Sequence, residues 1–192
     1  MIAAGFAVVV ALAVHVPAAA PSPSALPSAS LYRIEGRFTD AVGGVVGLDV
    51  ARGHPVLLAM FYASCPRACP LLISDVKRVL QALPDVDRAA VSVVLVSLDP
   101  ARDTPAVLAQ TLRARSLDPQ HWTLLRADPS TTRVVAAALG VRWRDNGDGS
   151  IDHTSRIVLL DGAGVPVATR NEIGGPVEDF VAALQHQTAL SR

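Results

Sequence analysis

The sequence carries no surplus of either charge: 17 Lys and Arg stand against 17 Asp and Glu. A nucleic-acid binder needs a basic face to meet phosphates, and this balance gives no reason to expect such a partner. Aromatic residues are few, at 4%, so the core of a chain that is 51% hydrophobic has to be built mainly from Val, Leu and Ala. Tandem repeats, a phosphate-binding loop and a Ser-His-Asp arrangement are absent. Charge is missing from the first twenty residues. Cysteine is missing everywhere except at Cys65 and Cys69.

At 192 residues the chain has room for one domain with a sizeable core and a short appendage. Met1 to Ala20 is apolar apart from His15. A spanning helix takes roughly 20 apolar residues, and Pro17 interrupts this run before that length. The segment reads as a signal-peptide hydrophobic region or a short membrane anchor. Ala18-Ala19-Ala20 resembles a cleavage site, although Pro21 is unfavourable after it and no Lys or Arg precedes the run. Pro21 to Ser30, dominated by Pro, Ser and Ala, reads as a flexible tether. The globular domain is then expected over residues 31–192, as a monomer. Export to the periplasm or the outer face of the cytoplasmic membrane would put both cysteines where disulfides are permitted.

The two cysteines lie in Phe61-Tyr62-Ala63-Ser64-Cys65-Pro66-Arg67-Ala68-Cys69-Pro70. An apolar run, Val56 to Tyr62, predicts a buried strand before them. After them Leu72, Val76, Val79, Leu80 and Leu83 recur at helical spacing, predicting a helix over Leu71 to Leu83 that Pro84 ends. Pro70 fits the first helical position, where its missing N–H costs nothing. Cys69 then sits at a helix amino end, which favours thiolate over thiol.

Upstream, Leu31 to Val50 reads as one or two short strands or a hairpin turning at Gly43-Gly44. Downstream, Val91 to Ser97 is β-branched and apolar, as a central parallel strand is. A helix follows with Thr104 or Asp103 as cap and Pro105 in its first turn; Val107, Leu108, Thr111 and Leu112 give it an inner face. Trp122 to Leu125 predicts a short strand. Ser130 is the expected cap of a helix with Val134, Val135, Ala138 and Leu139 inward, stopped by Gly140. Arg156 to Leu160 and Val165 to Thr169 flank a hairpin turn at Asp161-Gly162-Ala163-Gly164. A last helix from about Pro176 carries Val177, Phe180, Val181 and Leu184 inward. Strand–helix–strand units closed by a hairpin and a helix indicate an α/β sandwich with a mixed central sheet flanked by helices. A dithiol after the first strand of such a unit points to a thioredoxin-like arrangement with an N-terminal strand or hairpin extension.

Spacing of four brings two sulfurs to one side of a helical turn, within reach of a disulfide or of one metal ion. A plain Cys65–Cys69 disulfide is the bland alternative, but it would close a tiny loop and restrict the unfolded chain little. Two thiolates alone are an incomplete site. The candidate third ligand is His153, in the loop Gly147 to Thr154, because the loop before strand Arg156–Leu160 packs beside the dithiol in a thioredoxin-like sheet. Two sulfurs and an imidazole suit copper, and the same set holds zinc. Asp99, Arg102 and Asp103 read either as a charged network near the cysteines or as a helix cap with a surface Arg. Asp145 to Asp152 lacks calcium-loop spacing and reads as a polar turn. His54, His121 and His186 lie beside turns or in the end helix and are weak candidates.

Three blocks carry a resemblance to a known family: Tyr62 to Pro70; Val96-Ser97-Leu98-Asp99-Pro100-Ala101-Arg102-Asp103-Thr104-Pro105; and Asp152-His153-Thr154. Their identity and order resemble the SCO/SenC family, copper-binding assembly proteins of cytochrome c oxidase with a thioredoxin-like fold. The similarity covers roughly Phe38 to Val167. It implies copper ligation by Cys65, Cys69 and His153, and delivery to a copper-receiving oxidase subunit. Two positions depart from the family pattern: Ala63 stands where Thr is usual, and Gly149 where an aromatic is common. Neither is a ligand position. The rival reading is a thiol–disulfide oxidoreductase with Cys65 attacking and Cys69 resolving. Thioredoxins place a proline opposite their dithiol, where this chain has His153-Thr154-Ser155. A peroxidase would need Thr before its cysteine, and Phe61 to Asp75 contains none.

Overall fold

The computed structural model describes residues 25–66 and 68–192. The apolar start, Met1 to Ala20, and the first part of the expected tether lie outside the described residues. Among those described, no helix is long and apolar enough to cross a membrane.

A five-stranded mixed sheet organises the chain, in the order β5-β4-β3-β8-β9. Its centre is β3 (Val56–Phe61), every residue of which is buried. β4 (Ser92–Ser97) runs parallel to it, with Val56 opposite Ser92 and Phe61 opposite Ser97. β5 (Trp122–Leu125) continues the parallel half. On the other side β8 (Ile157–Leu160) is antiparallel to β3, and β9 (Pro166–Arg170) is antiparallel to β8. Strands covered on both faces read as unbroken apolar runs, which is why Val91 to Ser97 does not alternate. A hairpin of β1 (Phe38–Thr39) and β2 (Val45–Val46) is the N-terminal extension. Its turn uses Gly43 at φ +87 and the Asp40 carboxylate, which accepts the Val42 and Gly44 N–H groups. Thr39 bridges to Arg126 just past β5 and covers that edge.

Helix α1 (Ala68–Gln81) buries Leu72, Val76, Val79 and Leu80, with Leu83 beyond its end. It starts earlier than expected, so Pro70 is its third residue. The N–H it lacks is still one of the four without an intrahelical acceptor, and the helix tolerates it. Short α2 (Asp85–Ala89) follows Pro84. α3 (Pro105–Ala114) is capped by Thr104, whose hydroxyl accepts the Val107 N–H at 3.4 Å, and it buries Leu108 and Leu112. α4 (Pro129–Ala138) is capped by Asp128, not Ser130; the carboxylate takes the Ser130 and Thr131 N–H groups. The helix phase shifts accordingly. Val135, Ala136 and Leu139 are buried, whereas Val134 is 52% exposed and Ala138 faces solvent. α5 (Glu178–Leu190) packs Phe180, Val181 and Leu184 inward, against β9 and beside α1 and α2.

Gly147 to Thr154, expected as a loop, belongs in large part to a separate hairpin of β6 (Trp143–Asp145) and β7 (Ile151–His153). Three-residue strands rich in Arg and Asp show no periodicity, so the pairing is invisible locally. The turn makes it: Gly147 and Gly149 take φ +78 and +89, and Asp145 and Asp148 accept the N–H groups of Gly147 and Ser150. This is the polar turn expected over Asp145 to Asp152. The architecture is the mixed α/β sandwich of the thioredoxin-like kind read from the sequence.

Candidate metal centre

The chain leaves the carboxyl end of β3 at Phe61 and turns through Tyr62 to Pro66 before α1 begins. Cys65 lies in that turn and Cys69 in the first turn of the helix, both buried at 5% and 3% exposure and not bridged to each other. The Cys69 N–H, one of the helix donors lacking an intrahelical acceptor, points to the Cys65 Sγ at 3.2 Å. The Tyr62 N–H points to the Cys69 Sγ at 3.4 Å. Each sulfur thus faces a backbone donor, a setting that favours electron-rich sulfur.

His153 ends β7 and is half-buried, with its Nε2 3.8 Å from the Cys69 Sγ. Its Nδ1 lies 3.3 Å from the Thr154 carbonyl. A carbonyl only accepts, so Nδ1 carries the proton and the Nε2 lone pair faces the sulfurs. Burial holds the imidazole below its ordinary pKa, against the opposing pull of the Thr154 carbonyl and Asp152. That favours the neutral form, the one that can act as a ligand. Among the described residues, Cys65, Cys69 and His153 form a group whose ligand atoms all lie within 4.8 Å of one another. A metal ion with bonds of about 2.0–2.3 Å holds trigonal donors about 4 Å apart, so a small closure seats one.

Burial works against the thiolate expected for Cys69. Burial pushes the Cys69 thiol far above its ordinary range, and the nearby Cys65 and Asp103 add to that, against a smaller opposing effect of the Tyr62 N–H. Desolvation of the charge outweighs one helix end. Taking up a metal therefore has to displace the Cys69 thiol proton.

Asp103 settles the two readings of its segment in favour of a network. It is 1% exposed, accepts the Ser97 hydroxyl at 2.5 Å and the Ala63 N–H at 3.1 and 3.3 Å, and so braces the cysteine turn against the end of β4. Arg102 pairs with Asp99 and reaches beneath the β6–β7 turn, where a Cβ on Gly149 would come within 2.7 Å of its Nη1. The small residue at that position leaves room for the guanidinium. Tyr62 is the residue that sequence reasoning missed. Its hydroxyl donates to the Ile151 carbonyl and accepts the Ile151 N–H, both at 3.3 Å, and its ring meets His153 edge-on at 5.8 Å. A phenol at the end of a buried strand needs a partner for its hydroxyl, and that was the available signal. A cleft of about 400 Å³ opens over Cys65, Pro66, Ser150, Asp152 and His153. His54, His121 and His186 take no part in this group.

The SCO1/SenC family profile matches residues 27–189. The chain belongs to the SCO1/SenC family. An SCO2-like protein of Rickettsia prowazekii is 27% identical over 127 residues, spanning 64% of this chain. The matches cover 60–63% of the length of the curated relatives. The structure of Bradyrhizobium japonicum ScoI with copper bound is 31% identical, covers 79% of this chain and 96% of its own, and superposes with a TM-score of 0.62. A SCO1/SenC family lipoprotein from Bacillus anthracis covers 85% of this chain and 99% of its own with a TM-score of 0.72; at 20% identity it speaks for the fold alone. In this SCO1/SenC chain the three blocks read from the sequence are the three segments that meet at the centre.

Proposed function

We propose that this protein carries one copper ion, held by Cys65 and Cys69 as thiolates and by His153 as neutral imidazole, and hands it on for assembly of the dinuclear copper centre of a cytochrome c oxidase. The carrying observation is the convergence of two sulfurs and one imidazole within 4.8 Å, with the imidazole lone pair turned to the sulfurs. Soft sulfur with imidazole nitrogen is a donor set suited to copper. The copper-bound ScoI, 31% identical, supports the same cargo. Copper here is cargo, and the site is shaped for passing it on. The cleft leaves one side of Cys65 and His153 reachable, so a recipient's thiols replace the ligands one at a time and the ion is not released to solvent. The recipient is a copper-receiving oxidase subunit. The setting is the periplasm or the outer face of the cytoplasmic membrane, with the apolar start serving as export signal or tether.

A second reading, thiol–disulfide exchange, has one observation behind it. Cys65 lies toward the cleft and faces a helix N–H, while Cys69 lies deeper with a raised pKa, a division suited to an attacking and a resolving thiol that close a Cys65–Cys69 disulfide. His153→Ala separates the two, since it removes a ligand and touches no sulfur. The copper reading expects affinity, measured by chelator competition under reducing conditions, to fall at least tenfold, the low end of the roughly 10–100-fold loss caused by removing even a hydrogen-bonding partner of a ligand. The dithiol should still oxidise and reduce. An unchanged copper affinity would remove the three-ligand site and leave thiol exchange standing.

A further inference from the structure

We infer that the Tyr62 hydroxyl is a positioning group for the metal centre: it latches the β6–β7 hairpin to the end of β3 and thereby places His153 opposite the two sulfurs. The inference rests on the copper reading.

The hairpin is a sheet of its own, outside the ladder of the five-stranded sheet. Cys65 and Cys69 are placed by β3 and α1, but His153 rides on this separate arm, so something has to fix the arm's distance from the sulfurs. In the β6–β7 register Ile151 lies opposite Asp145 and His153 opposite Trp143. Ile151 and His153 are two residues apart on one strand and project to the same face. The Thr154 N–H pairs inward with the Arg142 carbonyl at 2.9 Å, as the Asn146 N–H does with the Ser150 carbonyl at 3.1 Å. That alternation turns the Ile151 N–H and C=O to the outer edge of β7, where a neighbouring strand would otherwise bond them. The Tyr62 hydroxyl takes that strand's place by bonding both, and all of these atoms are buried.

The same side chain touches the ligand itself, its ring lying edge-on to the imidazole at 77°. Its main-chain N–H meanwhile points to the Cys69 sulfur. One residue therefore references the histidine arm to the thiols through three contacts. Removing the hydroxyl would leave two main-chain groups of Ile151 buried without these bonds, a cost that the hairpin escapes only by shifting toward water. His153 would move with it.

Tyr62→Phe in the full chain tests this, because it keeps the ring and deletes only the oxygen. Cu(I) affinity by chelator competition should fall about 10–100-fold, the range for outer-shell partners of metal ligands. Adding His153→Ala to Tyr62→Phe should then cost much less than His153→Ala costs alone, since the ligand is already displaced. The Cu(II) electron paramagnetic spectrum should lose nitrogen coupling in Tyr62→Phe and in His153→Ala alike. Wild-type affinity in Tyr62→Phe beside a clear loss in His153→Ala overturns the latch and leaves the copper reading intact. So do losses that simply multiply in the double variant, which would mark a general structural effect. If Tyr62→Phe does not fold, amide exchange in the wild-type protein decides. A protected Ile151 N–H supports the latch, and exchange at the rate of an unstructured peptide amide overturns it. An unchanged affinity in His153→Ala sinks the copper reading and this inference together.

Discussion

Asp103 shows how one side chain can hold a site it does not ligate. Both carboxylate oxygens meet the Ala63 N–H, and one also takes the Ser97 hydroxyl. Burial drives its pKa up and Asp99 adds to this, while Ser97, the Ala63 N–H and Arg102 act against it. Asp103→Ala leaves a backbone donor and a hydroxyl behind, each costing about 1–3 kcal/mol when buried without a partner. We expect the denaturation midpoint to drop accordingly, and copper affinity to weaken because Ala63 lies in the turn that presents Cys65. A variant as stable as the parent, with unchanged affinity, would show that the cysteine turn keeps its shape unaided. Ala63 itself departs from the family's usual Thr, and the structure gives the position a main-chain role through its N–H.

At the level of elements, a buried ion pair joins three parts of the chain far from the candidate metal centre. Asp75 on α1 accepts from Arg170 Nε at 2.6 Å, from Arg78 at 2.5 Å and from the Gly174 N–H at 3.2 Å. Arg170, the last residue of β9, also donates to the Gly175 carbonyl at 2.8 Å. The network fastens the segment leading into α5. Burial alone would raise the Asp75 pKa, but the bonds from Arg170, Arg78 and Gly174 outweigh it and hold the carboxyl below its ordinary value. A depressed folded-state pKa means stability that is present above the unfolded value and lost as pH falls through the folded one. Unfolding free energy should therefore decline below about pH 4, where unfolded Asp begins to protonate. Asp75→Asn should flatten that decline. Asp75→Ala, which strands a buried guanidinium, should cost about 3–5 kcal/mol. An unaltered acid limb in Asp75→Asn would assign the acid sensitivity to other carboxylates.

For the molecule as a whole, the candidate metal centre and the amino-terminal junction occupy opposite ends of β3. The centre lies past Phe61. At the other end Val56 pairs with Leu160, beside the β8–β9 turn that receives the incoming chain. There Ser30 is buried, its hydroxyl donating to the Ala163 carbonyl at 2.5 Å and accepting the Tyr32 N–H at 3.2 Å, and the Leu31 N–H bonds the Gly164 carbonyl at 2.9 Å. Leu26 packs on the core as well. A fragment beginning at Leu31 should fold but melt a few degrees below one beginning at Ala25, because losing a Ser cap costs about 1 kcal/mol and that shifts a domain of this size by roughly 2–4 °C. Copper affinity should be the same in both, since the loss is at the far end. Equal melting temperatures would put Ser30 and Leu26 outside the folding unit.

Local chemistry alone determined much of this protein. The unbroken apolar run from Val91 to Ser97, the helical spacing from Leu72 to Leu83 and the dithiol at a strand-to-helix junction each follow from side chains within a few turns of one another. Element order was therefore legible, as were Cys65 and Cys69. His153 was legible as a candidate through its place before β8 and the family resemblance. Only the tertiary structure brought its Nε2 to 3.8 Å from a sulfur 84 residues away, on a hairpin with no periodicity of its own. It also decided that burial, not the helix end, governs the Cys69 thiol, and that the Tyr62 hydroxyl finds Ile151 across 89 residues. Those outcomes depend on which strands lie side by side and how deeply the sheet covers a group. Long-range packing sets both, and no stretch of sequence carries that information by itself.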